Sequence, residues 1–303
     1  MNLLFFTLMY AALAAAWNVL GISGYLSLGH AAFFGVGAYA IAVTFTHWGI
    51  GDGYRPFYVL PLVGLGVGLA SLPVAWLAFR TRAATFAIVT VTLLFVFQQL
   101  AFNLRSLTDG SQGLSLPVPT FPASTYERPF YWAMLAVLAL SVVMVWYVLG
   151  SKLGLALQAI RDDEDRARGL GVQTAFAKLV AFALSAGLVA MAGGVWAYYI
   201  AFVYPQFAVD PLVTIGMVLM VYLGGRGTVW GPVLGAFILV PAQQYLAYRL
   251  GASELYLVAY SAVFLVVILL MPRGILPSLE DWRTRLGRRP TPDRVQAASG
   301  QAP

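Results

Sequence analysis

The chain has 303 residues, 60% of them hydrophobic and only 10% charged, with a mean hydropathy of +0.80. Soluble proteins carry about 25% charged residues, so this composition excludes a water-covered surface and predicts an all-α, polytopic transmembrane bundle. The net charge of +6 is carried by residues flanking apolar runs, which marks topology rather than nucleic-acid binding, and the lack of cysteine excludes disulfides, thiolate metal sites and a cysteine nucleophile.

A helix needs roughly 20 apolar residues to cross a bilayer. The first run, 3–20, has no positive residue ahead of it, unlike a signal peptide, and is read as a first membrane segment. The runs 29–46, 57–79, 83–104, 129–149, 179–203, 212–223, 232–248 and 255–271 follow, giving about eight to nine segments, some of them short or interrupted. The membrane domain is placed at 1–279, with a long outside loop at 105–128 and a charged loop at 150–174. The composition of residues 280–303 predicts a polar, disordered cytoplasmic tail.

Fourteen of the 18 Lys and Arg residues fall in 80–82, 150–178, 224–228 and from 272 to the end. The other four are Arg55, Arg105, Arg128 and Arg249. All fourteen share one side if the runs alternate, and the positive-inside rule makes that side cytoplasmic. The N-terminus is then outside and the C-terminus inside.

No Asp, Glu, Lys or Arg lies well inside a confident span. Intramembrane charge marks proton relays and ion sites, so its absence argues against proton-coupled transport. There is no GxxxxGK[ST] stretch to hold a nucleotide and no Ser/His/Asp constellation. Two histidines are too few for a metal centre. The sequence shows no enzyme.

Two breaks share a plan. After Leu20 comes GISGYLSLG; after Leu223 comes GGRGTVWGP. Gly- or Pro-interrupted segments in matching positions of two halves point to a translocation pathway, because irregular backbone at membrane depth needs protein or water to satisfy it. Candidate pathway residues are Asn18, Ser23, Gly24, Ser27, Gly29, His30, Gly35, Gly37, Thr90, Thr92, Gln98, Gly224, Gly225 and Gly227. The competing reading is structural: small residues at packing junctions, polar ones in interhelical hydrogen bonds, and His30 in a packed polar junction at a helix end.

The one dense charged stretch is 152–173, KLGLALQAIRDDEDRARGLGVQ. It reads as a surface helix carrying the i,i+4 pairs Arg161–Asp165, Asp162–Arg166 and Glu164–Arg168 and stopping at Gly169 or Gly171. A plain connector needs no capped helix with both signs of charge, so a docking helix for a cytoplasmic partner fits better.

Four blocks, GYLSLGHAAFFGVGAYA, AIRDDEDRARGLGV, KLVAFALSAGLVAMAGGVWAYY and LGGRGTVWGPVLGA, resemble signature segments of the branched-chain amino-acid ABC transporter permeases. The outside stretch TDGSQGL, residues 108–114, is similar to the LivM-like branch. Arg161, Asp162, Asp163, Glu164, Arg166, Ala167, Gly169 and Gly171 fall on the family's ATPase-coupling segment, although Asp165 and Arg166 stand where the family often has small residues. The resemblance implies a subunit of an importer in the inner membrane. A second, different permease would complete the pathway, two cytoplasmic ATPase subunits would bind ATP and Mg, and an extracytoplasmic binding protein would deliver the cargo. Branched-chain amino acids are the expected cargo, urea or short amides the alternative within the family, and a stand-alone facilitator the alternative outside it.

Overall fold

The computed structural model describes residues 3–49, 53–119, 121–122, 125–250, 258, 262, 265 and 274–279. Helix α1 (Leu3–Gly21) is followed by α2 (His30–Trp48), α3 (Arg55–Ala78), α4 (Ala83–Asn103) and the short α5 (Arg105–Thr108). A two-residue strand β1 (Leu114–Ser115) precedes α6 (Arg128–Leu149), α7 (Lys152–Asp162) and α8 (Glu164–Gly169). Then come α9 (Thr174–Ile200), β2 (Phe202–Val203), α10 (Pro205–Ala208), α11 (Pro211–Gly224) and α12 (Gly231–Leu250).

Among the described residues six helical stretches are long and apolar enough to cross a membrane: α1, α3, α4, α6, α9 and the α10–α11 stretch Pro205–Gly224. The apolar run of α2, His30–Thr46, is shorter. The span expected at 255–271 and the tail at 280–303 lie outside the described residues.

Helix α1 is the axis of the bundle. It packs against α6, α9, α11 and α12, and its second half from Ala11 to Gly21 is buried throughout. Its Ala-rich sequence explains the position, because small side chains let neighbouring backbones approach on every side. Helix α9 is the second hub and packs against α2 and α3. The seams are glycine-made. A Cβ on Gly37 would run into the Ala190 carbonyl of α9, and one on Gly193 into the Phe34 carbonyl of α2. Helices α3, α4 and α6 form the outside, with outward Leu, Ile, Val and Trp side chains, joined on α4 by exposed Thr, Gln and Asn.

At one end of the bundle β1 pairs antiparallel with β2, Leu114 opposite Val203, and ties the long loop to the end of α9. The TDGSQGL stretch turns tightly there: Asp109, Gly110 and Gly113 all have positive φ, and Thr108 Oγ1 donates to the Ala101 carbonyl at 2.6 Å. The opposite end holds α7, α8, the 79–82 turn and residues 22–24.

The charged loop differs from expectation. It is two helices, not one, because Asp163 is extended (φ −164°, ψ 107°) and caps α8 by accepting from the Arg166 amide at 3.0 Å. That break rotates the acidic and basic residues out of a common helical register. Of the three expected pairs only Glu164–Arg168 forms, at 3.0 Å. Arg166 instead meets Asp163 at 2.9 Å, and Arg161 lies 3.6 Å from Asp162.

Candidate functional site

Two clusters hold the chemically distinctive residues, and both are built around the first break. The chain leaves α1 at Gly21, turns at Gly24 (φ 84°), and runs non-helically from Tyr25 to Gly29 before α2 starts at His30. Backbone that is not helical has to find partners elsewhere, and here side chains supply them. Trp17 Nε1 donates to the Ser27 carbonyl at 2.9 Å, and the Leu28 amide donates to Thr90 Oγ1 at 3.0 Å. The Ala31 amide in the first turn of α2 donates to Thr214 Oγ1 at 2.8 Å. His30 is wholly buried, with Nδ1 2.8 Å from Ser27 Oγ and Nε2 2.9 Å from Ser185 Oγ. Each ring nitrogen thus has a hydroxyl partner, and the cluster joins α1, α2, α4, α9 and α11 around one imidazole.

The second break lies against the end of α1. Asn18 Nδ2 donates to the Thr228 carbonyl at 2.8 Å, and Asn18 Oδ1 accepts from the Gly227 amide at 2.9 Å. One buried amide therefore satisfies a donor and an acceptor of the 225–230 turn. Gly225 (φ 125°) and Gly227 (φ 76°) need the freedom of glycine there. A Cβ on Gly224 would meet the Gly231 carbonyl, so α11 and α12 touch through backbone.

The remaining pathway candidates are dispersed. Ser23 Oγ donates to the Leu20 carbonyl at 2.7 Å, a local turn bond. A Cβ on Gly29 would meet the Thr90 carbonyl, and one on Gly35 would come within 2.8 Å of the Ala208 carbonyl. Gly37 belongs to the α2–α9 seam. Gln98 Nε2 donates to the Val209 carbonyl at 3.0 Å. Thr92 is exposed on α4, its hydroxyl donating to the Ile88 carbonyl at 2.9 Å.

The second cluster joins the charged helices to the bundle. Lys178, in the first turns of α9, is 3% exposed. Its Nζ donates to Glu164 Oε1 at 2.7 Å and to the Tyr25 hydroxyl at 3.2 Å, and it lies 4.6 Å from the centre of the Tyr25 ring. The Tyr25 hydroxyl in turn donates to Glu164 Oε2 at 2.5 Å, and Arg168 adds a bond to Glu164 Oε1 at 3.0 Å. Partial burial pushes the Glu164 carboxyl up. The hydrogen bonds from Lys178 and Tyr25 and the positive charges of Lys178 and Arg168 outweigh it and hold the group below the usual glutamate range. Burial, reinforced by Glu164, pushes the Tyr25 phenol above its ordinary value. Beside this joint lies a cleft of 480 Å³ lined by Gly24, Arg80, Arg82, Arg161, Arg168 and Lys178 among others. A Cβ on Gly24 would come within 2.9 Å of the Arg161 side chain. Glu164 thus holds α8 to the start of α9 and to the segment that leads into the first break.

Sequence reasoning selects Glu164 but misses Lys178 and Tyr25. In the sequence Lys178 counts only as a topology charge; the available signal is that it lies inside the apolar pattern of its helix, where a lone ammonium needs a partner. Ser185 and Thr214 are missed because single hydroxyls in apolar helices give no signal of which carbonyl, amide or imidazole they meet. Among the described residues no group of three His, Cys, Asp or Glu side chains is placed to hold a metal.

The geometry defines a multi-pass helical membrane protein with a charged two-helix element clamped to one end and side-chain-satisfied breaks beneath it. The chain belongs to the family described as the branched-chain amino acid transport system permease component, whose model matches residues 1–271. It is 29% identical to the high-affinity branched-chain amino acid transport system permease protein LivM of Salmonella typhimurium, over 89% of this chain and 68% of the relative. It is 27% identical to the permease protein LivH of Escherichia coli, over 88% of this chain and 91% of the relative. A shorter stretch, 34% of the chain, is 37% identical to the autoinducer 2 import system permease protein LsrC of Salmonella paratyphi B, covering 31% of it. No solved structure matches.

Proposed function

We propose that the chain is the membrane-spanning permease subunit of an ATP-driven importer that moves branched-chain amino acids into the cell by alternating access. A second permease completes the pathway. Two ATPase subunits, which hold ATP and Mg, dock on α7 and α8, and an extracytoplasmic binding protein loads the cargo from the far side.

The observation that carries this reading is the Glu164–Lys178–Tyr25 joint. A soluble element that only connects two spans has no use for an ion pair to the buried Lys178 of one span and a hydrogen bond to the Tyr25 segment that leads into the first break. Around the joint the surface is suited to a soluble partner. Leu155 and Leu170 are exposed, at 66% and 86%, on the same two-helix element as the exposed Arg161, Asp162, Arg166 and Arg168, a mixture of apolar and charged side chains such as protein interfaces use. Displacement of α8 pulls on α9 through Lys178 and on the Tyr25–Gly29 segment through Tyr25. That segment ends at His30, so the motion is delivered to the polar junction of α1, α2, α4, α9 and α11. Ala167, buried beneath α8, and Gly169 and Gly171, which end it, shape the docking surface. The cargo's carboxylate and ammonium would be met by hydroxyls and carbonyls near the breaks, since no Asp, Glu, Lys or Arg lies well inside a confident span.

The test is ATP hydrolysis by the reconstituted complex in the presence of the binding protein and a panel of solutes. Stimulation by leucine, isoleucine or valine is expected. Stimulation by urea alone would change the cargo, and failure of any ATPase to co-purify would overturn the importer reading.

A further inference from the structure

The outward faces of the three peripheral helices are not alike. On the membrane-buried stretch of α3 the outward residues include Leu62, Leu65 and Leu69, and on that of α6 they include Leu135, Leu140 and Val143. These are side chains that acyl chains accept. On α4 the outward residues include Thr85, Thr92, Gln99 and Asn103 as well as Ile88, Phe95, Val96 and Leu100, whereas no Thr, Gln or Asn is exposed on the membrane-buried stretches of α3 and α6. At about 100° per residue, the four polar residues lie within about 40° of one another around the helix, flanked about 20° to either side by Val96 and Ile88. They form a polar stripe, not scattered polar residues. It runs from the first turn of α4 to its last residue, about 27 Å at 1.5 Å per residue, close to the roughly 30 Å thickness of a bilayer core.

Two of the four are partly satisfied within α4. Thr92 Oγ1 bonds the Ile88 carbonyl, and Asn103 Nδ2 donates to the Gln99 carbonyl at 2.8 Å. The side-chain amide of Gln99 forms no hydrogen bond among the described residues. A primary amide facing hydrocarbon leaves donors and an acceptor unmet, and such residues in spanning helices face the protein interior or a polar cavity. Helix α4 is also the least buried of the six spans, with 22% of its apolar stretch buried against 33% for α3 and α6.

From this contrast we infer that the polar stripe of α4 is the face on which a second membrane-spanning permease chain packs. The occupant follows from the stripe's extent. A soluble partner cannot reach a surface that crosses the bilayer, and lipid cannot satisfy the Gln99 amide. Water could wet it only if another protein wall kept lipid out. A neighbouring spanning helix with hydroxyl or amide groups meets all three conditions, since such groups bond across helices in membranes. The inference rests on the two-permease reading above and adds to it which face of this chain is used.

The chain has no native cysteine, so single-cysteine probes need no prior replacements. Thr92→Cys, Gln99→Cys, Leu65→Cys and Val143→Cys would be made in the full transporter and exposed to a short bifunctional cross-linker in native membranes. Cross-linking to the second permease from positions 92 and 99, at least tenfold above positions 65 and 143, is expected. Equal yields from all four, or cross-links from 92 and 99 confined to this one chain, would overturn the inference. As an independent readout, Gln99→Leu is expected to lower recovery of the second permease with this chain by several-fold while the ATPase subunits still co-purify. If Gln99→Leu recovers as much second permease as the wild type, α4 faces lipid. If neither a second permease nor an ATPase is recovered with the wild type, the importer reading itself has failed.

Discussion

At the residue scale the decisive group is Glu164, a carboxylate with three donors around it. Replacing it by glutamine leaves the buried Lys178 ammonium with neutral partners only, the amide carbonyl and the Tyr25 hydroxyl. Stranding one partner of a buried ion pair costs about 3–5 kcal/mol. Glu164→Gln is therefore expected to lower thermal stability in detergent clearly, and Glu164→Gln/Lys178→Met to recover much of the loss, a coupling that a double-mutant cycle reads directly. The pH dependence has a definite sign. The folded state holds the Glu164 carboxyl below its ordinary range, so its stabilisation is fully present above that range and is lost as pH falls through the lowered value. The stability difference between wild type and the double variant should shrink on acidification from neutrality and stay flat on the alkaline side of the carboxylate range. A difference constant down to strong acid would show that the pair contributes no pH-linked stability. Asn18 poses a parallel case. Its two bonds to the second break are not legible in the sequence, because its partners are 209 and 210 residues away. What the sequence does show is that both breaks exist. Asn18→Leu strands the Gly227 amide and the Thr228 carbonyl and is expected to cost about 1–3 kcal/mol per group left without a partner, measured as a lower unfolding midpoint.

At the element scale the hydrophobic runs predict helices well. The expected spans 57–79, 83–104 and 129–149 correspond to Arg55–Ala78, Ala83–Asn103 and Arg128–Leu149. What periodicity cannot resolve is a break inside a charged stretch, since α7 and α8 are separated by one extended residue. The signal is present in another form: Asp163 followed by Glu164 and Asp165 is the acidic first turn of a helix with an Asp cap. The glycines of α2 are legible as special but not as to why. Gly37 is where the backbones of α2 and α9 touch, so Gly37→Leu has no room for a Cβ and is expected to abolish a monodisperse, folded chain. At Gly66 on α3 an added Cβ would meet nothing within 4 Å, so Gly66→Leu should elute from size exclusion like the wild type. Equal behaviour of the two would show that the α2–α9 seam can open.

At the scale of the whole molecule, charge and architecture agree on a grouping but from different directions. Counting Lys and Arg places 80–82, 150–178 and 224–228 on one side. In the folded chain Arg80, Arg82, Arg161, Arg168 and Lys178 line one cleft, and the 225–230 turn is held beside it by Asn18. At the opposite end β1 and β2 pair, bringing the 105–128 loop to the end of α9. The positive-inside rule predicts that these two ends lie on two sides of a membrane, with α7 and α8 on the cytoplasmic side. Coupling to a cytoplasmic ATPase requires that orientation, so it is the prediction on which the molecular reading stands. In intact cells a membrane-impermeant maleimide is expected to label Ser106→Cys in the long loop and to spare Arg166→Cys on α8 until the membrane is permeabilised. Both side chains are exposed, so a failure to react reports sidedness rather than burial. Labelling of Arg166→Cys in intact cells would invert the topology, remove α8 from the reach of any cytoplasmic partner, and leave the Glu164–Lys178–Tyr25 joint as a brace on the outer surface.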